Sequence, residues 1–303
     1  MRLEAETGAS ILKMSKLLKI SRSCYYEWLL RPQGDRASKD GLILAKIRET
    51  HSAHPRWGLD AIWHEVLETI ACCRSRVHKL MKRNGIHSER KAKWKATTNS
   101  HHKLPVAKNL LLRERSESER IDPKNGRKRE KYERIFVFNE ANMAWVGDIT
   151  YNWTDEGWLY TAIVKDLCTK EVVGFAMSDR IDRHLVIAAM KMAIEREHPQ
   201  RGLIFHSDRG VQYCSGDYGK LLEKHGIKAS MSRTGNPYDN AVAENFFSNM
   251  KCECTNFCNF KTRREARLTI FQYIAIEYNR VRRHSGLGWI TPAAFKQRLQ
   301  AVA

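Results

Sequence analysis

The sequence predicts an α/β protein in which an all-α region with a helix-turn-helix pattern precedes a second region built on a mixed sheet. Apolar residues recur at helical spacing up to about residue 85, whereas strand-like and helix-like runs alternate from about residue 136 onward. Charge divides the chain at the same place. Residues 1–135 hold 31 Lys and Arg against 16 Asp and Glu, a net +15, and residues 136–303 hold 22 against 18, a net +4.

The first region contains five predicted helices. They fall at residues 11–18, 22–30, 40–50, 59–67 and 75–83. Ser21 is a suitable N-cap for the second helix, and Gly85 suits the C′ position of the fifth. The region is therefore predicted to be a helical DNA-binding region over residues 1–90.

The fifth helix places Val77, Leu80 and Met81 on one face, and the rest of its surface is basic. Its basic residues are Arg74, Arg76, Lys79, Lys82 and Arg83. A three-helix unit whose last helix is basic is the pattern of helix-turn-helix DNA readers, so Arg74, Arg76 and Lys79 are candidate DNA contacts. A plain helical bundle is the alternative interpretation.

Residues 91–135 are predicted to form a basic linker that tracks phosphates. Apolar residues become rare there except around 104–112. The positive charge is concentrated at Lys91, Lys93, Lys95, Arg127, Lys128, Arg129 and Lys131.

The second region, residues 136–303, begins with three strand-like runs in succession and then alternates helices with strands. The strands are predicted at 143–151, 158–164, 172–177, 203–206 and 228–232, and the helices at 184–195, 217–225 and 240–251. This order predicts a mixed sheet with helices on its faces.

Three carboxylates stand at the ends of these elements. Asp148 ends a strand-like run, Asp208 follows another, and Glu244 lies on a helix, with 35 residues (209–243) between the last two. Carboxylate oxygens are the ligands that Mg²⁺ or Mn²⁺ prefers, and two such ions about 4 Å apart activate a phosphodiester. The pattern therefore predicts a two-metal site for phosphoryl transfer on nucleic acid.

The residues around these acids narrow the prediction. The segments WVGDITY (145–151), HSDRGVQY (206–213), MSRTGNPYDN (231–240) and YNRVRRH (278–284) occur in this order. They resemble the second-reading-frame transposases of IS3-family insertion sequences, which carry the acidic triad of retroviral-type integrases. The resemblance implies an RNase H-like fold, in which the first and fourth strands are neighbours, and Asp148, Asp208 and Glu244 as ligands of two metal ions, Asp148 being shared.

Further residues are assigned around this site. The resemblance implies a DNA contact for Lys251, and Arg209 and Arg233 are also candidate DNA contacts. His206 and Arg209 could equally contact phosphate or orient a carboxylate. Residues 234–237 predict a turn, after which Asp239 or Asn240 caps the Glu244 helix. Asp166 is interpreted as structural, and the arginines of 278–284 either hold DNA or pack on the sheet.

The chain is expected to be a DNA transposase that exposes a 3′-OH at the end of an element and joins it to another phosphate. A metal-dependent nuclease of the same fold and a DNA-binding repressor with a relic site are the alternatives. Net charge +19 and pI 9.7 indicate a polyanionic partner, and there is neither a membrane span nor a signal pattern. We expect reduced cysteines, a bacterial cytoplasmic, nucleoid-associated location, a homo-oligomer on DNA, and fusion to or action with an upstream-frame product.

Overall fold

A computed structural model describes residues 11–17, 19–30, 35–89, 105–116, 119, 131–233 and 236–302. The chain divides into two compact units, Met1–Glu89 and Arg90–Ala303. None of the helices within the described ranges is both long enough and apolar enough to cross a membrane.

The described part of the first unit contains the five predicted helices. They are α1 (Ile11–Leu17), α2 (Arg22–Leu30), α3 (Asp35–Ala53), α4 (Leu59–Leu67) and α5 (Arg74–Arg83). The Ser21 hydroxyl accepts the N–H of Cys24 at 3.1 Å, and Gly85 has φ +67° after the end of α5, so both predicted caps are present. Helices α3, α4 and α5 pack on one another through a core that includes Ile43, Ile62 and Val77.

The second unit is built on a five-stranded mixed sheet. Its strands in chain order are β3 (Ala144–Thr154), β4 (Gly157–Asp166), β5 (Val172–Ser178), β6 (Ile204–Ser207) and β7 (Lys228–Met231). The spatial order is β5-β4-β3-β6-β7; the pairs β3–β4 and β4–β5 are antiparallel, and β3–β6 and β6–β7 are parallel. This is the RNase H-like strand order, in which the first and fourth strands are neighbours as predicted.

Helices cover both faces of the sheet. They are α6 (Arg183–Glu197), α7 (Gly216–Lys224), α8 (Ala241–Glu253), α9 (Arg263–Gln272), a π-helix (Tyr273–Val281) and α10 (Pro292–Val302), with short 3₁₀ turns at Pro237–Asn240, Thr255–Phe257 and Ser285–Leu287. Helices α6 and α7 bury one apolar cluster with Trp145 and Phe205 of the sheet. Helices α8 and α9 and the π-helix bury a second cluster with Leu159 and Ile163.

Part of the predicted linker 91–135 is folded into the second unit, which corrects that prediction. Strands β1 (Leu112–Glu114) and β2 (Tyr132–Arg134) form an antiparallel pair. The preceding Leu111 is 1 % exposed and packs with Ala144 and Val146 of β3, so an apolar anchor ties this charged segment to the sheet. The basic positions 91, 93, 95 and 127–129 lie outside the described residues, as do residues 234 and 235 of the predicted turn.

Candidate active site

Strands β3 and β6 bring Asp148 and Asp208 to the same level of the sheet. The two strands are parallel, and Val146 pairs with His206. Asp148 lies two residues beyond Val146, and Asp208 lies two residues beyond His206, directly after the end of β6. Because neighbouring strands lie about 4.8 Å apart, this register places the two acidic residues next to each other.

Glu244 reaches the same place from the first turn of α8. The Asn240 side-chain amide donates to the carbonyl oxygen of Gly147 at 3.5 Å, so α8 begins beside the residue that precedes Asp148. Glu244 lies four residues after Asn240, about one helical turn along. Its burial, and then the negative charge of Asp208, raise the pKa of the Glu244 carboxyl.

Asp148 is repelled by both of the other acids. Burial raises the pKa of Asp148 well above its usual value, and the charges of Asp208 and Glu244 raise it further. The N–H of Ile149, which donates to an Asp148 carboxylate oxygen at 2.8 Å, and the Lys251 ammonium act in the opposite direction. In the described ranges no group of three or more His, Cys, Asp or Glu side chains is arranged to hold a metal ion. The three acids therefore act on one another through their charges in a site that a cation would stabilise.

Helix α8 runs alongside the outer half of β3. Its start contacts Gly147 of β3, and Phe260, which follows α8, pairs with Thr154 at the end of the same strand. This placement is available because β6 ends at Ser207, so that the outer residues of β3 have a strand partner only on the β4 side.

Lys251 on α8 and Tyr151 on β3 lie at similar distances along their elements from Glu244 and Asp148. Lys251 follows Glu244 by seven residues, about 10 Å along a helix, and Tyr151 follows Asp148 by three residues, about 10 Å along a strand. The Lys251 ammonium accordingly lies 5.4 Å from the centre of the Tyr151 ring. Burial lowers the pKa of the Lys251 amine, whereas the negative charge of Asp148 raises it.

A buried carboxylate, Asp239, organises the approach to α8. It accepts hydrogen bonds from the Arg134 guanidinium at 3.0 Å, from two nitrogens of the Arg233 guanidinium at 2.9 Å each, and from the Asn109 amide at 3.1 Å. Burial opposes ionisation, yet the bonds from Arg233 and Arg134 lower the pKa of Asp239 to about 2. Asn240 occupies the N-cap position without a side-chain capping bond, so Asp239 holds the loop through ion pairs rather than capping the helix. Arg233, a candidate DNA contact, is one of these partners.

Two other residues near Asp208 have partners inside the protein. Arg209 donates to the carbonyl oxygen of Ser232 at 2.7 Å. His206 is fully buried, with its ring nitrogens 2.8 Å from the Ser230 hydroxyl and 3.2 Å from the Ser232 hydroxyl, and burial lowers its pKa to about 4. These bonds hold the ends of β6 and β7 together, which favours a structural role for His206 over a phosphate contact.

The remaining acid and the C-terminal arginines also have structural roles. Asp166 accepts the backbone N–H groups of Cys168 and Thr169 at 2.9 and 2.7 Å and thereby fixes the turn after β4, as interpreted from the sequence. Arg282 makes hydrogen bonds of 2.9 Å to the carboxylate of Glu253, at the end of α8. These hydrogen bonds favour, for Arg282, the interpretation that it packs on the second unit.

Comparison with known proteins assigns the family. Integrase core domain models match residues 139–237 and 225–292, and an HTH-like domain model matches residues 38–94. The chain is 34% identical over 303 residues to the transposase InsF for insertion sequence IS3A of Escherichia coli strain K12, covering 95% of this chain and 94% of that protein. It is 39% identical over 292 residues to an uncharacterized 31 kDa protein of insertion element IS600 from Shigella sonnei, covering 96% of this chain and 100% of that protein.

The chain belongs to the IS3 family of insertion-sequence transposases. It is a DDE-type polynucleotidyl transferase that acts on DNA. Similar solved structures include a simian T-cell lymphotropic virus intasome (TM-score 0.45, 12% identity, 82% of this chain and 73% of that chain). Another is the HTLV-2 integrase catalytic core domain in complex with magnesium (TM-score 0.40, 16% identity, 51% and 95%). The fold assignment rests on the strand order and on the integrase core match.

In this IS3-family transposase, two of the candidate DNA contacts of the first unit are engaged in ion pairs. The Arg74 guanidinium binds Asp60, and the Arg76 guanidinium binds Asp40 at 2.7 Å. Lys79 is exposed and makes no ion pair with any described residue. An open cavity of about 430 Å³ beside it is lined by Arg36, Lys39, Cys73, Ser75, Arg76 and Lys79. This concavity at the start of α5 is lined by four basic side chains.

Sequence reasoning missed Lys165. This lysine of β4 is 4 % exposed, and its ammonium lies 5.9 Å from the centre of the Phe246 ring and 5.4 Å from that of Tyr278. Burial lowers the pKa of Lys165 to about 7. The only signal in the sequence was a lone lysine closing the apolar run of a predicted strand, a position that is usually solvated.

Proposed function

We propose that Asp148, Asp208 and Glu244 bind two Mg²⁺ or Mn²⁺ ions and that this one site serves both DNA cleavage and strand transfer. The observation that carries the proposal is the β3–β6 register, which sets Asp148 level with Asp208, together with Glu244 on the adjoining turn of α8. The donor set is all carboxylate oxygen, which fits hard divalent cations. Burial raises the pKa values of Asp148 and Glu244, and repulsion by the neighbouring acids raises them further; a bound cation would relieve that repulsion.

The residues of the chain would hold the metal ions and the DNA phosphates in place. When bound, such a pair of ions supplies Lewis acidity and stabilises the attacking and leaving oxygens of a phosphodiester. Asp148 is the proposed shared ligand because its carboxyl responds to the charges of both other acids. Lys251 would hold a backbone phosphate beside the reacting one. In cleavage, water attacks the phosphorus and releases a 3′-OH; in transfer, that 3′-OH attacks a second phosphorus and releases a new 3′-OH.

Charge-removing substitutions test the site. Asp148→Asn, Asp208→Asn and Glu244→Gln keep the side-chain shape, and each should abolish metal-dependent cleavage and joining while leaving DNA binding largely intact. Asp217→Asn, which alters an exposed acid of α7, is the matched control and should keep wild-type activity. Near wild-type joining by any of the three variants would show that the residue is not a metal ligand. Cleavage without joining by the wild-type protein would favour the nuclease alternative over transposition.

A stability measurement separates loss of chemistry from loss of folding. Because the acids repel one another, Asp208→Asn should unfold at the same or a higher urea concentration than wild type in EDTA. Addition of Mg²⁺ or Mn²⁺ should stabilise the wild-type protein and have little effect on the variant. A variant that is already less stable in EDTA would show that Asp208 serves the fold.

We further propose that Lys79, with Arg74 and Arg76 beside it, contacts DNA backbone phosphates. Arg209 and Arg233 would act at the DNA through the loops that they hold. The protein would assemble as a homo-oligomer on the ends of its element, with an upstream-frame product as a further partner, and its DNA substrate would place it with the bacterial nucleoid. Sedimentation with and without end DNA tests the assembly: a monomer in both would refute it.

A further inference from the structure

The outer end of the β3–β4 hairpin projects as a two-stranded ribbon. Ser178, the last residue of β5, pairs with Tyr160, so the more distal pair Trp153–Trp158 has no third strand beside it. Helix α6, which covers this face of the sheet, begins only after the turn that follows β5. The last rows of the hairpin therefore extend past the helix layer on that face.

Four aromatic rings occupy this uncovered face. Tyr151 pairs with Tyr160 and Trp153 pairs with Trp158, and alternation along the strands places all four side chains on one side. The rings of Trp153 and Trp158 are 4.9 Å apart, and those of Tyr151 and Trp158 are 4.8 Å apart, both edge to face. We call these four residues the aromatic ribbon.

The aromatic ribbon leaves its two largest rings in solvent. Trp153 is 57 % and Trp158 is 39 % exposed. Cross-strand aromatic contact by itself stabilises a ribbon, but exposing two adjacent indoles forgoes the gain from burying them. The opposite side of the same hairpin is packed, because Leu159 and Thr154 are fully buried there. The exposed indoles therefore have the character of a binding surface.

The Lys251 ammonium links the aromatic ribbon to the acidic site around the edge of β3. Asp148 and Tyr151 lie three residues apart on this strand, so their side chains leave opposite sides of the sheet. Because β6 ends at Ser207, no strand covers the edge of β3 beyond it, and the Lys251 ammonium rests there 5.4 Å from the Tyr151 ring centre while acting electrostatically on Asp148. Trp153 is five residues from Asp148, about 16 Å along an extended strand. Lys251 is thus a cation shared by the acidic site and the aromatic ribbon.

Charge at the tip of the ribbon is balanced. Asp155 pairs with Lys261 at 3.2 Å, and Glu156 accepts the backbone N–H of Arg263 at 2.8 Å. The surface therefore offers flat π faces rather than an excess of positive charge, and it suits nucleobases better than the phosphates of a duplex. Bases within a duplex have both faces occupied by stacking, so only unpaired bases can use these rings.

We propose that Trp153 and Trp158 stack unpaired bases of the DNA strand whose phosphate lies at the acidic site, with Lys251 holding an intervening phosphate. At about 3.4 Å per stacked nucleotide, the 16 Å separation corresponds to bases roughly three to five nucleotides from the reacting phosphate. This inference rests on the proposed function, since it takes the carboxylates as the place where that phosphate lies.

Binding measured in EDTA tests the stacking site independently of chemistry. The full-length protein is mixed with a duplex that carries a single-stranded extension, in which one adenine three to five nucleotides from the junction is replaced by fluorescent 2-aminopurine. Wild type should quench this fluorescence, and Trp153→Ala should abolish the quenching and weaken binding roughly 5- to 100-fold. Trp153→Phe should restore most of both. The control, Phe271→Ala, alters another exposed aromatic of the same unit and should behave as wild type.

Comparison with a blunt duplex makes the result specific. The Trp153→Ala variant should bind the blunt duplex with an affinity within twofold of that of the wild-type protein. A melting curve should show that the variant is folded. Equal losses on both DNAs, or no loss on the extended DNA, would overturn the proposal. Loss of a protein dimer on Trp153→Ala in the absence of DNA would assign the ribbon to a self-interface instead. The carboxylate substitutions leave this readout unchanged, so failure of the metal site and failure of the stacking site are separately visible.

Discussion

The buried carboxylate of Asp239 gives a pH-dependent stability that can be calculated. This carboxylate is 1 % exposed and receives the guanidinium groups of Arg134 and Arg233. Its pKa falls from 3.8 in the unfolded chain to about 2, and at about 1.4 kcal/mol per pH unit this difference stabilises the folded state by about 2 kcal/mol. Because the folded pKa is depressed, the contribution is complete above pH 4 and is lost as the pH falls from about 4 to about 2.

Asp239→Asn removes the charge but keeps the shape of the side chain. At pH 7 we expect the free energy of unfolding to fall by about 2 to 4 kcal/mol, since two partly buried guanidinium groups lose their counter-charge. Urea unfolding of wild type and variant at a series of pH values gives the difference directly, and the difference should shrink towards zero near pH 2. A difference below about 0.5 kcal/mol at pH 7, or one that does not change with pH, would refute the reasoning.

Three further outcomes follow from individual residues. Gly174→Ala should lower the free energy of unfolding by more than about 3 kcal/mol, because a Cβ there would lie 2.3 Å from a backbone oxygen of α6. The control Gly219→Ala should not destabilise the protein, because a Cβ there has no neighbour within 4 Å. Similar urea midpoints for the two variants would contradict this prediction. Lys165→Met should be more stable than wild type by about 1 to 2 kcal/mol at pH 7, because the pKa of this buried lysine is lowered to about 7 and its charge is unfavourable below that pH. The advantage should shrink as the pH rises towards 10, and an advantage that persists there would point to packing instead. Lys79→Ala should reduce the slope of log K against log salt for DNA binding by about 1, as measured by fluorescence anisotropy. The control Lys46→Ala removes a lysine that pairs with Glu49 and should leave this slope unchanged.

The elements that the sequence predicted well are those with a long periodic pattern. All five helices predicted for the first unit and all five predicted strands of the sheet are present, because alternation and helical spacing extend over whole elements. Strand β3 continues to Thr154, beyond the predicted end at residue 151. Asn152 and Thr154 are polar yet buried, since Phe260 and the chain after α8 cover that end of the strand. Burial by a segment a hundred residues away leaves no local signal.

The short strands β1 and β2 could not be predicted from the sequence. Each has three residues, lies in a charged segment, and pairs with a partner about twenty residues away. No periodicity can be read from three residues, so the sequence predicts a linker there. Leu111 is a fully buried apolar anchor that attaches this segment to the sheet.

For the site, the sequence motifs predict the candidate acids but not the contacts of the basic residues. The spacing of Asp148, Asp208 and Glu244 reflects three elements whose order is fixed by the fold, and their role as metal ligands stays a prediction. Arg233, by contrast, is a predicted DNA contact whose ion pair with Asp239 the sequence does not reveal. Whether an arginine meets phosphate or a carboxylate depends on tertiary placement, which composition cannot supply.

The acids of the site repel one another, so contacts outside the acidic cluster must hold them together. Gly147 is central, because its carbonyl accepts the Asn240 amide and a Cβ there would lie 2.4 Å from the Phe205 ring. Removing charge at Asp148 and adding volume at Gly147 should therefore both abolish joining but change stability in opposite directions. Asp148→Asn should be at least as stable as wild type in EDTA, and Gly147→Ala should be less stable. If both variants lost stability together, the acids would be part of the scaffold and not a charge cluster that the scaffold restrains.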